Sequence, residues 1–266
     1  MGGLGNVLFQ LNYAWMLAEF GYKILICTKL IENKKIFKLF KWVNHDSYSV
    51  IKNIELLEKF TCQSGTWVDI IFLYLSKILK RKIFKHLNLK HEKIRLEEVR
   101  DGITVAGYFQ SNVEIQKKFI EYTKIKFLKI NSFEKNIDKN NVVLHYRGGD
   151  YFSNNLNIIS YKGLGFIINN FNKVNVVTND KKSFDRDVSK FFNNTKFEIR
   201  NGSVVNDFLY IMNHNIIISS NSTFCWWASE LSEAEIIYEP NVYFKHIPNW
   251  NPLSIKKKNR IKYDNV

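Results

Sequence analysis

Four clusters along this chain join residue types that can do chemistry. The richest is Leu144-His145-Tyr146-Arg147-Gly148-Gly149-Asp150-Tyr151. It sets His145, Arg147 and Asp150 at the end of an apolar run, and two glycines free the backbone around them. A guanidinium fork matches phosphate better than an ammonium does, and an arginine beside a diphosphate can stabilise the charge that develops as it leaves. The same spacing also fits an Arg147–Asp150 ion pair fixing a turn, and His145 alone fits a packed core histidine. The second cluster is Ser219-Ser220-Asn221-Ser222-Thr223-Phe224-Cys225-Trp226-Trp227. Hydroxyls and N–H groups at a helix start can hold phosphate, and Ser222 or Thr223 can equally cap the helix. The two adjacent tryptophans read as core.

The third cluster, Gly2-Gly3-Leu4-Gly5-Asn6, opens the chain. Its glycines let backbone N–H groups approach an anion at a helix N-terminus. It is not a dinucleotide fingerprint, because the third glycine is replaced by Asn6, Val7 and Leu8 at the positions that could carry it. The fourth is Asp207, ahead of Phe208-Leu209-Tyr210. A carboxylate can accept two N–H bonds from a guanine edge, and at a helix N-terminus it can simply complement the dipole.

The elements that must position these clusters follow from periodicity. Leu8, Leu11, Ala14, Trp15 and Ala18 predict a helix after the glycine turn, and Tyr22–Cys27 a strand. Such a turn ordinarily follows a strand, and the sequence starts too late to contain one. Residues 30–100 read as mainly helical and lysine-rich. Val105–Phe109 predicts a strand or turn, followed by a helix to about residue 123. Strands are expected at Asn141–Leu144, Val174–Thr178, Asn215–Ser219 and Ile236–Tyr238, with helices at Asp207–Met212 and Phe224–Leu231. The basic stretch from Lys256 reads as a frayed tail. This alternation predicts an α/β fold with a parallel sheet, in which ligands bind at the carboxyl ends of the strands. The domain boundary is expected between about residues 124 and 140, giving domains 1–130 and 131–266.

Composition narrows the partners. The chain has 266 residues, 45% hydrophobic, 24% charged and 15% aromatic, which is a globular composition. Its net charge of +14 attracts polyanions, but the basic residues are scattered and no nucleic-acid motif occurs, so nucleic acid is not expected. The three cysteines, Cys27, Cys62 and Cys225, are widely spaced and support neither a disulfide framework nor a zinc site, which suggests a reducing compartment. No secretory signal is visible in the first residues, and no apolar run reaches the length of a membrane span. Trp67–Leu79 followed by Lys80-Arg81-Lys82 reads as a core helix with cations at its C-terminus, with a membrane-surface helix as the alternative.

The four clusters, in their order along the chain, resemble glycosyltransferase family 11, the α-1,2-fucosyltransferases. The family's GGLGNQ-F-Q is similar to Gly2–Gln10, its GYFQS to Gly107-Tyr108-Phe109-Gln110-Ser111, its HxRRGDY to His145–Tyr151, and its SNSSFSWW to Ser220–Trp227. Asn179-Asp180 resembles the family's acidic strand end. The resemblance spans nearly the whole chain, with little contributed by residues 30–100 and the tail.

The resemblance implies a GT-B-like fold, two Rossmann-like α/β domains facing a cleft, with an acceptor-side domain first and a GDP-fucose-binding domain second. It implies inverting transfer of L-fucose from GDP-β-L-fucose, without a metal or other cofactor, to a galactose-terminated oligosaccharide or lipid-linked glycan in surface-glycan synthesis. The expected location is cytoplasmic, or peripheral on the inner face of the membrane. Arg147 would contact the diphosphate and stabilise departing GDP, and His145 would support that site or the ribose. Asp207 would read guanine, while Ser222, Thr223 and Phe224 would hold phosphates and pack beside the base. Asn179 and Asp180 would lie on the donor side, and Gly5 and Asn6 would face the cleft from the first domain. Asp150 is the candidate general base, or it orients Arg147.

The chain departs from the motif at Gly148, which replaces the second arginine. Losing one charged hydrogen bond of this kind costs about 1.5–3 kcal/mol, roughly ten- to a hundredfold in rate. A weakened or non-catalytic GDP-sugar-binding relative is therefore one alternative, and a fucosyltransferase of another linkage is a second, since the arginine motif is shared more widely.

Overall fold

The computed structural model describes residues 3–27, 50–51, 54–63, 86–89, 104–107, 114–130, 141–148, 161–244, 250 and 259–264. The chain divides into two compact units, residues 1–126 with 251–253 and residues 127–250 with 254–266.

In the first unit, helix α1 (Leu4–Glu19) starts directly after Gly3 and buries Leu4, Leu8, Phe9, Leu11 and Leu17. It ends where Gly21 takes φ 89°. Gly21 N–H then donates to Ala18 O and Tyr22 N–H to Leu17 O, the paired bonds that close a helix C-terminus around a left-handed residue. Asn12 is fully buried and fully used: its Nδ2 donates to Glu114 O (3.0 Å) and its Oδ1 accepts from Gln116 N–H (2.9 Å). Two parallel strand pairs accompany α1, β1 (Leu25–Cys27) with β2 (Thr61–Gln63), and β3 (His86–Leu89) with β4 (Thr104–Gly107). β2 and β3 fall within residues 30–100, the stretch read as mainly helical, most of which lies outside the described residues. Helix α2 (Lys117–Ile130), whose residues from Phe127 on belong to the second unit, runs seven residues past its expected end, and its Lys126 ammonium is held between the Glu55 and Glu58 carboxylates.

The second unit is a six-stranded, wholly parallel sheet: β5 (Val142–Tyr146), β6 (Lys173–Thr178), β7 (Lys196–Arg200), β8 (Ile216–Ile218), β9 (Ile236–Pro240) and β10 (Arg260–Tyr263). The spatial order is β10-β9-β8-β5-β6-β7. The chain thus winds outward in one direction from β5 to β7, then returns to the middle and winds the other way from β8. This is the Rossmann-like order, and its switch point lies between the carboxyl ends of β5 and β8.

Burial explains why these segments are strands. All five residues of β5 and all three of β8 are buried, as expected of parallel strands covered on both faces. On one face Val142, Leu144 and Tyr146 pack with Val174 and Val176 of β6, with Leu164, Ile167 and Ile168 of α3 (Tyr161–Ile168), and with Phe184 of α4 (Lys181–Asp187). The other strand face carries His145 and meets aromatic rings from α5 (Val204–Met212) and α6 (Thr223–Leu231). The residues read as a frayed basic tail instead contain β10, which extends the sheet beyond β9. No helix among the described residues is long and apolar enough to cross a membrane. The Trp67–Leu79 segment, Tyr108–Ser111 and Asp150 lie outside the described residues.

Candidate functional site at the sheet switch point

The two richest sequence clusters meet at the switch point. β5 ends at Tyr146, so Arg147 and Gly148 leave the sheet at its carboxyl edge, and β8 ends at Ile218, so Ser219–Ser222 leave beside them. A hydrogen bond of 2.5 Å joins His145 Nδ1 to the Ser220 hydroxyl across this gap. Both residues are buried. Burial, and secondarily the Arg147 charge, push the His145 pKa down to about 3. The imidazole is therefore neutral at ordinary pH, and Arg147, half-buried at the strand end, supplies the positive charge.

Helix α6 begins at the end of the serine loop. Ser222 is its N-cap residue, but the hydroxyl makes no capping bond to the first turn. The capping expected from sequence is thus not performed by this side chain, although Ser222 is only 5% exposed. The first turn presents the positive end of a nine-residue helix at the switch point. Phe224, in that turn, lies 5.6 Å from the His145 ring and edge-on to Phe208 at 5.2 Å, and Phe208 stacks on Phe127 at 4.6 Å. This aromatic row packs α6 against α5. Thr223 is half-buried beside it.

Asp180 closes the site on the β6 side. It caps α4, its Oδ1 accepting from Ser183 N–H (3.1 Å) and its Oδ2 from the Ser183 hydroxyl (2.6 Å). A Cβ added at Gly148 would lie 2.9 Å from Asp180 Cβ and 3.2 Å from Oδ2. Real carbon atoms do not approach so closely, so the residue after Arg147 is glycine because Asp180 fills the space. Asn179, one residue before, is exposed. Asp207 lies on α5, next to Phe208. Its Oδ1 accepts from Gly202 N–H (3.0 Å) and stands 3.6 Å from Arg200 Nε. Burial raises the Asp207 pKa, with Gly202 and Arg200 opposing.

The switch point thus brings together His145, Arg147, Gly148, Asp180 and Ser220–Phe224, with Asp207 on the adjoining helix. Gly5, buried, and Asn6, half-buried, sit in the first turn of α1 in the other unit. Sequence reasoning missed Ser220 as the partner of His145, although it named the cluster. It also missed Tyr263, whose hydroxyl donates to Ser219 O at 2.6 Å. The signal for Tyr263 was the alternation in Arg260-Ile261-Lys262-Tyr263, hidden behind three lysines.

Burial of a second histidine gives a pH prediction. His214 Nδ1 donates to Tyr210 O (2.7 Å) and its Nε2 accepts from Asn175 Nδ2 (3.3 Å), a neutral-ring arrangement. Burial holds its pKa down to about 4. Both histidines take up protons more readily unfolded, near 6.5, than folded, so the unfolded state gains protons first as pH falls. Stability is complete above about pH 6.5 and declines from there toward pH 4, by roughly 1.4 kcal/mol per pH unit for each histidine. Urea unfolding at pH 7 and pH 5 should show this loss, and His214→Gln should reduce its slope.

No family model matches the chain, and neither a curated protein nor a solved structure is significantly similar to it.

Proposed function

We propose that the chain is an inverting glycosyltransferase of the GT-B type that moves L-fucose from GDP-β-L-fucose to a galactoside hydroxyl, forming an α-1,2 linkage. The observation that carries this reading is the His145–Ser220 bond. It ties the arginine motif to the serine loop at the one place in a Rossmann-like sheet where a nucleotide is expected. The sequence resemblance supplies the nucleotide and sugar.

In this reading the acceptor hydroxyl attacks the anomeric carbon of fucose from the side opposite GDP. The bond from that carbon to the β-phosphate oxygen breaks, and its electron pair stays on the phosphate. Arg147 and the first-turn N–H groups of α6 meet the growing negative charge. Neutral His145 fixes the two strand ends without adding a second, titrating charge. Asp150 is the candidate acceptor of the hydroxyl proton, or the partner that orients Arg147. The acceptor would be a galactose-terminated oligosaccharide or lipid-linked glycan, bound on the side of the first unit, with peripheral membrane contact compatible with a lipid-linked one.

A second reading is a non-catalytic GDP-sugar-binding relative. It is favoured by the Asp180 side chain, which crowds the position where the motif's second arginine would build its Cβ. Product analysis after incubation with GDP-fucose and galactose-terminated acceptors separates the two. An α-1,2-fucosylated product is expected. GDP binding with no transfer across a broad acceptor panel would favour the second reading.

A further inference from the structure

The strand that closes the sheet is built into the serine loop from both sides. Tyr263 reaches across the sheet on the face that packs on α3 and α4, and its hydroxyl donates to Ser219 O, the first residue of the loop. Arg260, three residues earlier, lies on the opposite face and grips α6, which follows the loop. Its Nη2 donates to Glu230 (2.7 Å) and to the Ser229 hydroxyl (3.2 Å), and its Nη1 to Glu239 of β9 (2.7 Å). The guanidinium lies 5.3 Å from the Trp226 ring centre.

The surroundings of this ion group are dense. Glu230 and the Arg260 side chain are almost wholly buried. Burial alone would raise the Glu239 carboxyl, but Arg260 and Lys262 hold it below its ordinary value. The Tyr243 hydroxyl also donates to Glu239, at 3.1 Å. A buried pair of this kind adds little net stability compared with apolar packing, but it fixes geometry strongly, because either partner left alone is costly. Its geometric consequence is that the loop's entry and the helix at its exit are both registered against one strand.

We propose that β10 is a positioning device for the anion-binding loop, with Tyr263 and Arg260 as positioning residues that act through Ser219 and Glu230. This rests on the reading of Ser219–Ser222 and the α6 N-terminus as the phosphate side of the site. Ligand affinity then depends on a strand that need not touch the ligand.

The test is calorimetric titration of the full chain with GDP and with inorganic pyrophosphate, alongside thermal unfolding. Tyr263→Phe removes one hydroxyl and is expected to weaken binding about three- to tenfold in protein that is still folded, the range of an ordinary hydrogen bond. Arg260→Lys keeps the charge but loses the fork, and should weaken binding in the same direction, whereas Arg260→Ala should weaken it more or fail to fold. Ile261→Thr, at a largely exposed position two residues before Tyr263 on the same strand, should leave affinity unchanged. Unaltered affinity in Tyr263→Phe and Arg260→Lys, with only a lowered melting temperature, would overturn the proposal. If the wild type binds pyrophosphate but not GDP, the guanine assignment fails while positioning is read on pyrophosphate. If it binds neither, both fail.

Discussion

Alanine at position 147 is expected to cut the proposed fucosyl transfer by about two to three orders of magnitude, the usual effect of removing one preorganised donor from a developing anion. The side chain stands at the open end of β5 and is half-buried, outside the apolar core that holds the sheet together. The unfolding transition should therefore stay close to that of the wild type. Single-turnover rates at saturating GDP-fucose isolate the chemical step from binding. Lysine at the same position should recover only part of the loss, since it is a point charge rather than a planar fork. His145 should remain neutral in both variants, because burial outweighs the arginine among the causes of its low pKa. A normal rate in Arg147→Ala would remove the role assigned to this side chain.

The second large effect concerns Gly148. Placing there the second arginine of the motif that the chain resembles, Gly148→Arg, is expected to damage the protein rather than improve it. The new Cβ would press on Asp180 Cβ at 2.9 Å. Relief requires Asp180 to move, and its carboxylate holds the start of α4 through Ser183. Overpacking of this kind costs about 1–3 kcal/mol, and loss of the cap about 1 kcal/mol more. Gly148 does not have a left-handed backbone, so the penalty comes from space and not from φ. Even Gly148→Ala should lower the melting temperature. The double change Gly148→Arg with Asp180→Gly should recover stability relative to Gly148→Arg alone, because it opens the room that the arginine needs. Equal stability of the wild type and Gly148→Arg would contradict the packing account.

The comparison of these two neighbours explains what the sequence could and could not convey. Arg147 was legible because its chemistry follows from its type and its place at a strand end. The reason for Gly148 was not, because it lies in Asp180, which reaches it only through the pairing of β5 with β6. The same distinction holds across the fold. β5, β6, β8 and β9 were recognisable from short apolar runs rich in β-branched residues, of which Ile216-Ile217-Ile218 is wholly buried. β7, Lys196-Phe197-Glu198-Ile199-Arg200, alternates charge with apolar residues at the sheet edge and carried too little hydrophobicity to stand out. α3 contains Gly163 and Gly165, which weaken its helical signal. β10 was read as tail because its charges look solvated, whereas Arg260 finds Glu230 and Glu239 only after β9 and α6 are in place. Ser222 was a natural cap by type, and its hydroxyl is left out of the cap in the folded chain.

The most direct measurement of the central claim is nucleotide binding at the switch point. The wild type should be titrated with GDP, ADP and UDP by calorimetry, and its unfolding followed with each. GDP is expected to bind most tightly and to stabilise the fold by about 2.7 kcal/mol at a hundredfold excess over its Kd, with both effects lost or sharply reduced in Arg147→Ala. A chain that ignores all three nucleotides, or binds GDP equally well without the Arg147 guanidinium, would contradict the account.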